Sequence, residues 1–184
     1  MEDSHPAIID PEYWECVQLE SERRKIYMEE HGLKAYSVNT ENNPFSGKII
    51  CGECGGAFGR KCWLSSNGPR KVWQCNERYR EKGKTGCNNR HVDDNVFEKA
   101  FMDAWNAVME NKEHFIGKWK AMAGGEDKQK AFKAKQLLDL VEQERNEFNN
   151  DFMLKVLEFI AVYETGILEV KFVDGTKIEC VKAE

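Results

Sequence analysis

The stretch "SGKIICGECGGAFGRKCW", residues 46–63, places three cysteines, five glycines and three basic side chains within eighteen positions. Its Cys51-x-x-Cys54 turn aims two sulfurs at one point. The adjoining glycines let the backbone curve tightly enough to bring amide N–H groups toward them. A redox pair of this spacing would need a helix opening at the first cysteine. Here glycines follow instead and no helical period does, so the turn reads as half of a metal site.

Twenty residues separate Cys54 from Cys75, and eleven separate Cys75 from Cys87. A closed set of four thiolates is a structural zinc site, so Cys51, Cys54, Cys75 and Cys87 are the expected ligands of one Zn2+. His91 is the alternative to Cys87 as fourth ligand. The other cysteines read as packing residues: Cys62 as a small buried hydrophobe in a strand, and Cys16 and Cys180 in a helix and a terminal strand.

Between Cys54 and Cys75, "AFGRKCWL" and "RKVWQC" flank the turn "SSNGP". Two β-prone runs joined this way form a hairpin, which gives a zinc β-ribbon with the metal at one end and the turn at the other. Arg60, Lys61, Arg70, Lys71, Arg78, Arg80, Lys82, Lys84 and Arg90 crowd the ribbon and the loop before the last cysteine. A two-stranded ribbon fits the major groove of B-DNA, where basic side chains neutralise phosphates. These nine residues are the expected DNA contacts, and Asn67, Asn76, Asn88 and Asn89 are candidates for base edges. A ribbon this small has too little core to hold its shape without metal.

The charge distribution points the same way. The 184-residue chain carries a formal charge of -5, with 41% hydrophobic and 32% charged residues and a mean hydropathy of -0.68. Residues 44–91 hold ten basic and three acidic side chains, whereas the segments on either side each have a net charge of -6. A local positive excess suits a polyanion partner even on an acidic chain. No apolar run is long enough to span a membrane, and "MEDSHPAIID" lacks the pattern of a signal peptide. An odd set of seven cysteines argues against a disulfide framework. The expected setting is a reducing, cytoplasmic one.

Outward from the ribbon, "IIDPEYWECVQLESERRKIYMEE" predicts a helix with Asp10 as N-cap, Pro11 at its first position and Gly32 as its stop. Trp14, Val17 and Ile26 form its expected apolar side. One such helix cannot bury that side alone, so it reads as the end of a truncated domain. "LKAYSVNTENNP" reads as a linker, with a reach of roughly 40 Å when extended. After the ribbon, Asp93 or Asp94 is the expected cap of a helix whose stripe is Phe97, Phe101, Trp105 and Val108 or Met109. "AGGED" interrupts it. A second helix carries Ala134, Leu138, Val141 and Phe148 on one side, and "DFMLKVLEFI" reads as a short third. The end alternates as strands around an Asp174-Gly175 turn, forming a small antiparallel meander. The fold class is α+β: a zinc β-ribbon packed with helices and a C-terminal antiparallel meander, preceded by a helix from a truncated domain.

Taken in order, "HPAIIDPEYWECVQLESERR", "NPFSGKIICGECGGAFGRK", "WQCNERYREKGKTGCNNRHV" and "LEVKFVDGTKIEC" resemble the C-terminal half of a large serine recombinase, of the kind carried by phages and conjugative transposons. That resemblance covers nearly the whole chain. It implies that residues 1–36 end a recombinase DNA-binding domain and that 37–43 are a linker along the DNA. Residues 44–184 would then be a zinc β-ribbon domain, with helices over about 92–160 and strands over about 160–182. Positions 51, 54, 75 and 87 fall where the family has its zinc ligands.

The implied function is sequence-specific binding of double-stranded attachment-site DNA during integration or excision of a mobile element, with other recombinase subunits as partners. The family's serine nucleophile lies in a domain this sequence does not contain, so no catalytic residue is expected here. The family's long coiled coil is also not expected, because residues 112–150 are short and broken at Gly124-Gly125. The competing reading is a zinc-stabilised protein-interaction module that controls synapsis. An independent enzyme using Cys62 or His91 would need an oriented base that the sequence does not supply.

Overall fold

A computed structural model describes residues 8–33, 42–66, 68–143 and 147–180. Helix α1 spans Pro11–Glu30. The Asp10 carboxylate accepts the N–H groups of Glu12 at 2.9 Å and Tyr13 at 3.1 Å, and Gly32 adopts a positive φ of 64° just past the helix end. The expected apolar side is not buried. Trp14, at 55% exposure, Val17 and Ile26 all face outward, and Tyr27 is the helix's buried residue. Helical spacing identified a stripe, but α1 docks through a different, mixed side: Arg23 reaches Glu158 at 3.3 Å, Lys133 reaches Glu20 at 3.6 Å, and Tyr27 packs with Ile50 and Ala57. Most of the expected linker lies outside the described residues.

Among the described residues, seven strands form two sheets. Strands β2 (Phe58–Ser65), β3 (Gly68–Cys75) and the short β4 (Val92–Asp93) make an antiparallel three-stranded sheet. Strands β1 (Ile49–Cys51), β5 (Leu157–Val162), β6 (Leu168–Phe172) and β7 (Lys177–Cys180) make the second sheet, in the order β1-β5-β6-β7. The meander β5–β7 is antiparallel as expected, but β1 pairs parallel to β5, with Ile49 opposite Ile160 and Cys51 opposite Val162. "LEFI" is therefore strand rather than helix. Its β-prone residues are held extended by a partner more than a hundred residues earlier in the chain.

The helices cover this sheet. The run after β4 is two helices, α2 (Val96–Glu110) and α3 (Lys112–Ala123). They divide at Asn111, whose side-chain amide donates to Ala107 O at 2.9 Å. Asp93 and Asp94 do not cap α2; Asn95 takes that position and makes no side-chain cap bond. The predicted stripe does enter the core, with Phe97, Phe101, Trp105 and Val108 all buried. Helix α4 (Lys128–Glu142) is capped by Asp127. It buries Ala134, Leu137, Leu140 and Val141, so Leu137 and Leu140 take the place expected of Leu138. Phe148 lies beyond α4 but still packs on the core, 5.8 Å from Phe45 and 6.1 Å from Phe101. Helix α5 is short (Asn150–Val156) and capped by Asn149.

At the predicted Asp174-Gly175 turn, the Asp174 side chain is fully buried and accepts from Lys118 Nζ and Trp119 Nε1, each at 2.8 Å. Burial opposes its charge, but these donors and Thr176 outweigh that and hold the carboxyl below its ordinary range. No described helix is long and apolar enough to cross a membrane.

Candidate metal centre and nucleic-acid interface

β1 delivers Cys51 to the start of a tight knuckle. Gly55 N–H bonds Cys51 O at 2.9 Å and Cys51 N–H bonds Gly56 O at 2.8 Å, with Gly55 at φ 74°. Only a residue without Cβ takes that conformation at little cost. β3 ends on Cys75, and a single 3-10 turn, Asn76–Tyr79, starts the loop to Cys87. That loop is closed by Gly86 N–H on Arg78 O at 2.8 Å and Cys87 N–H on Glu77 O at 3.4 Å.

The four sulfurs converge. Cys51 Sγ lies 3.6 Å from Cys87 Sγ, Cys54 Sγ lies 3.5 Å from Cys75 Sγ, and all four lie within 4.8 Å of one another. A tetrahedron of Zn–S bonds of about 2.3 Å needs sulfurs about 3.8 Å apart, close to the 3.5 and 3.6 Å separations here. The donor set fits zinc, and one structural Zn2+ is the cofactor of this centre. Burial pushes the Cys54 thiol up to about 11 and Cys75 higher still. At Cys51 burial also pushes up, but the Asn89 amide and the N–H groups of Cys54 and Glu53 outweigh it and the thiol falls below its ordinary value. His91 is not in this cluster; its exposed ring packs on Trp63, 4.6 Å between centroids.

The hairpin runs outward from the cage. Phe58 pairs with Cys75 at the metal end and Ser65 with Gly68 at the tip. Near the core, Trp73 is buried against Phe97; farther out both strands emerge, and Leu64 is 90% exposed. Cys62 is on this emergent part and is exposed, not buried as expected, because strand alternation is the same whether or not anything covers the face. Cys16 and Cys180 are half-buried; Cys180 lies against the core, with Sγ 3.3 Å from Ala100 O.

The nine basic residues divide by their partners. Arg60 bonds Asp94 and the carbonyl of Asn42, and its side chain is only 19% exposed. Arg70 meets Asp93 through two N–H groups at 2.6 and 2.5 Å. Arg78 donates to the carbonyls of Asn88 and Asn89 at 3.4 and 3.1 Å. Arg80 pairs with Glu77 and Lys84 with Glu81, both at 2.8 Å and on the surface. Lys61, Lys71, Lys82 and Arg90 enter no ion pair among the described residues. Of the asparagines, Asn76 and Asn88 are exposed, Asn67 lies outside the described residues, and Asn89 is buried at 1% exposure. Spacing alone gave no sign that Asn89 belongs to the cage.

Residues 44–106 match the family described as the recombinase zinc beta ribbon domain. A solved structure described as the crystal structure of an LSR–DNA complex shares the fold, with a TM-score of 0.54 and 15% sequence identity over 95% of this chain and 68% of that one. No curated protein matches the chain significantly.

Proposed function

We propose that this chain, which carries the recombinase zinc ribbon over residues 44–106, is a DNA-binding region of a large serine recombinase that holds attachment-site DNA during integration or excision. The observation that carries this reading is the cage-and-hairpin geometry. One metal fixes the base of a ribbon whose outer part stands clear of the core, and the cations without ion-pair partners lie on and beside it. Phosphates neutralised by those cations give affinity, and exposed side chains on the emergent strands reach base edges. Residues 44–184 form the zinc ribbon domain in this reading, supported by the family match beginning at residue 44. Residues 1–36 end a neighbouring DNA-binding domain, supported by the outward-facing Trp14, Val17 and Ile26. The chain binds rather than cuts, and other recombinase subunits bring the sites together.

Selection from a pool of random duplexes by the zinc-loaded chain tests this reading. The expected result is enrichment of one short sequence, with the chain protecting that sequence from cleavage. Binding without enrichment would remove the attachment-site reading and leave a non-specific clamp. No binding at low salt would favour the protein-interaction module.

A further inference from the structure

Asn89 sits two residues past the last cysteine of the cage and is 1% exposed. An amide buried this deeply is costly unless each polar atom finds a partner. Its Nδ2 donates to Val162 O at 2.6 Å and to Cys51 Sγ at 3.1 Å, and its Oδ1 accepts the Arg90 N–H at 2.7 Å. Val162 O also takes the Gly52 N–H at 2.8 Å, and Val162 is the β5 partner of Cys51 in the parallel ladder. The Asn89 backbone carbonyl accepts Arg78 Nη1 at 3.1 Å. One residue therefore touches a sulfur of the cage, the central sheet and the basic loop.

We infer that Asn89 is a positioning residue for the zinc centre: its side-chain N–H orients the Cys51 sulfur and ties the cage to β5. This inference rests on the zinc reading. A hydrogen bond from an amide to a thiolate ligand withdraws charge from the sulfur and fixes its direction, so outer partners of this kind tune both affinity and electronics of a metal site. Asparagine suits the position because it supplies two donors and one acceptor at a single planar group. Aspartate would set a carboxylate against both the Val162 carbonyl and the thiolate. Leucine would fill the volume and leave that carbonyl and the sulfur one donor short.

The test uses the full chain loaded with Co2+ in place of zinc, comparing the native protein with Asn89→Asp, Asn89→Leu and the exposed neighbour Asn88→Leu. Chelator competition reads affinity, and the sulfur-to-cobalt charge-transfer bands read the electronic state of the ligands. The expected result is affinity lower by about 10- to 100-fold in both Asn89 variants, with shifted bands, and no change in Asn88→Leu. Variants that fold with unchanged bands and affinity would overturn the role of Asn89. A purely structural role would lower stability without moving the bands.

Should the variants fail to fold, the native chain loaded with 113Cd gives a second reading. Scalar coupling between the metal and the Asn89 side-chain amide proton is expected, transmitted through the N–H···S bond. Its absence, while backbone amides at the same sulfurs show coupling, overturns the inference. A chain that takes up none of these metals overturns the zinc reading itself.

Discussion

Trp73 donates its indole N–H to Asp94 Oδ1 at 2.6 Å, and the other oxygen of that carboxylate receives the Arg60 guanidinium. Asp94 therefore bolts both hairpin strands to the start of the helical layer. This also explains why Asp94 does not cap α2: its oxygens are committed to the ribbon. Asp94→Ala leaves a buried indole N–H and a mostly buried cation without that acceptor, at a cost of about 1–3 kcal/mol. Asp94→Asn keeps an acceptor for Trp73 and is expected to lose less. Urea unfolding of the zinc-loaded chain measures both; equal midpoints for Asp94→Ala and the native protein would contradict this role.

In the proposed DNA-binding reading, the ion-pair pattern divides the expected DNA contacts from structural cations. Lys61→Ala and Lys71→Ala are each expected to weaken duplex binding and reduce the salt slope by about one. Arg60→Ala should lower stability and leave the slope unchanged, because Arg60 is held by Asp94 and the Asn42 carbonyl. A salt slope that responds to Arg60 and ignores both lysines would reverse this division.

Lys48 gives the fold a pH signature. Its Nζ donates to Leu157 O at 2.9 Å and Glu158 O at 3.3 Å, and burial, with Arg23 and Arg24 nearby, lowers its pKa from 10.5 to about 8. Between those values the unfolded chain binds the proton and the folded chain does not, so stability rises as pH rises from about 8 toward 10.5. Below pH 8 both states are protonated and the full penalty, about 3 kcal/mol, is present. Lys48→Met should remove this rise, which the difference between native and variant unfolding curves at pH 7 and pH 10 measures. An identical pH dependence in both would show that Lys48 is not the group responsible.

Gly86 closes the loop that presents Cys87. A Cβ built there would stand 2.2 Å from the backbone oxygen of Glu77, with no flexible side chain to yield. Gly86→Ala is therefore expected to displace Cys87 and weaken zinc retention by an order of magnitude or more, while Gly83→Ala, with open space around it, costs only the strain of its positive φ. Chelator competition distinguishes the two; equal zinc retention would mean that the loop adapts.

The parts legible in the sequence were those set by local rules. Cys51-x-x-Cys54, the hairpin around Ser65–Gly68 and the Asp174-Gly175 turn depend on neighbours a few residues away, and each formed where expected. Strand β5 was not legible because Leu157–Val162 is extended only through its pairing with Ile49–Cys51. The break at Asn111 carries neither glycine nor proline to announce it. The basic cluster was visible, but its division was not: Arg60 and Arg70 find Asp94 and Asp93 only when β4 folds beside β3. The same limit hid Asn89, which reads as a candidate for base edges until the chain closes around it and buries it.

The most direct test of the central claim is duplex-DNA affinity measured across a series of salt concentrations, with zinc-loaded and chelated chain side by side. A metal-fixed basic ribbon predicts that log affinity falls steeply and linearly with log salt for the loaded chain, and that binding collapses once zinc is removed. Affinity indifferent to salt, or unchanged after complete removal of zinc, would contradict it.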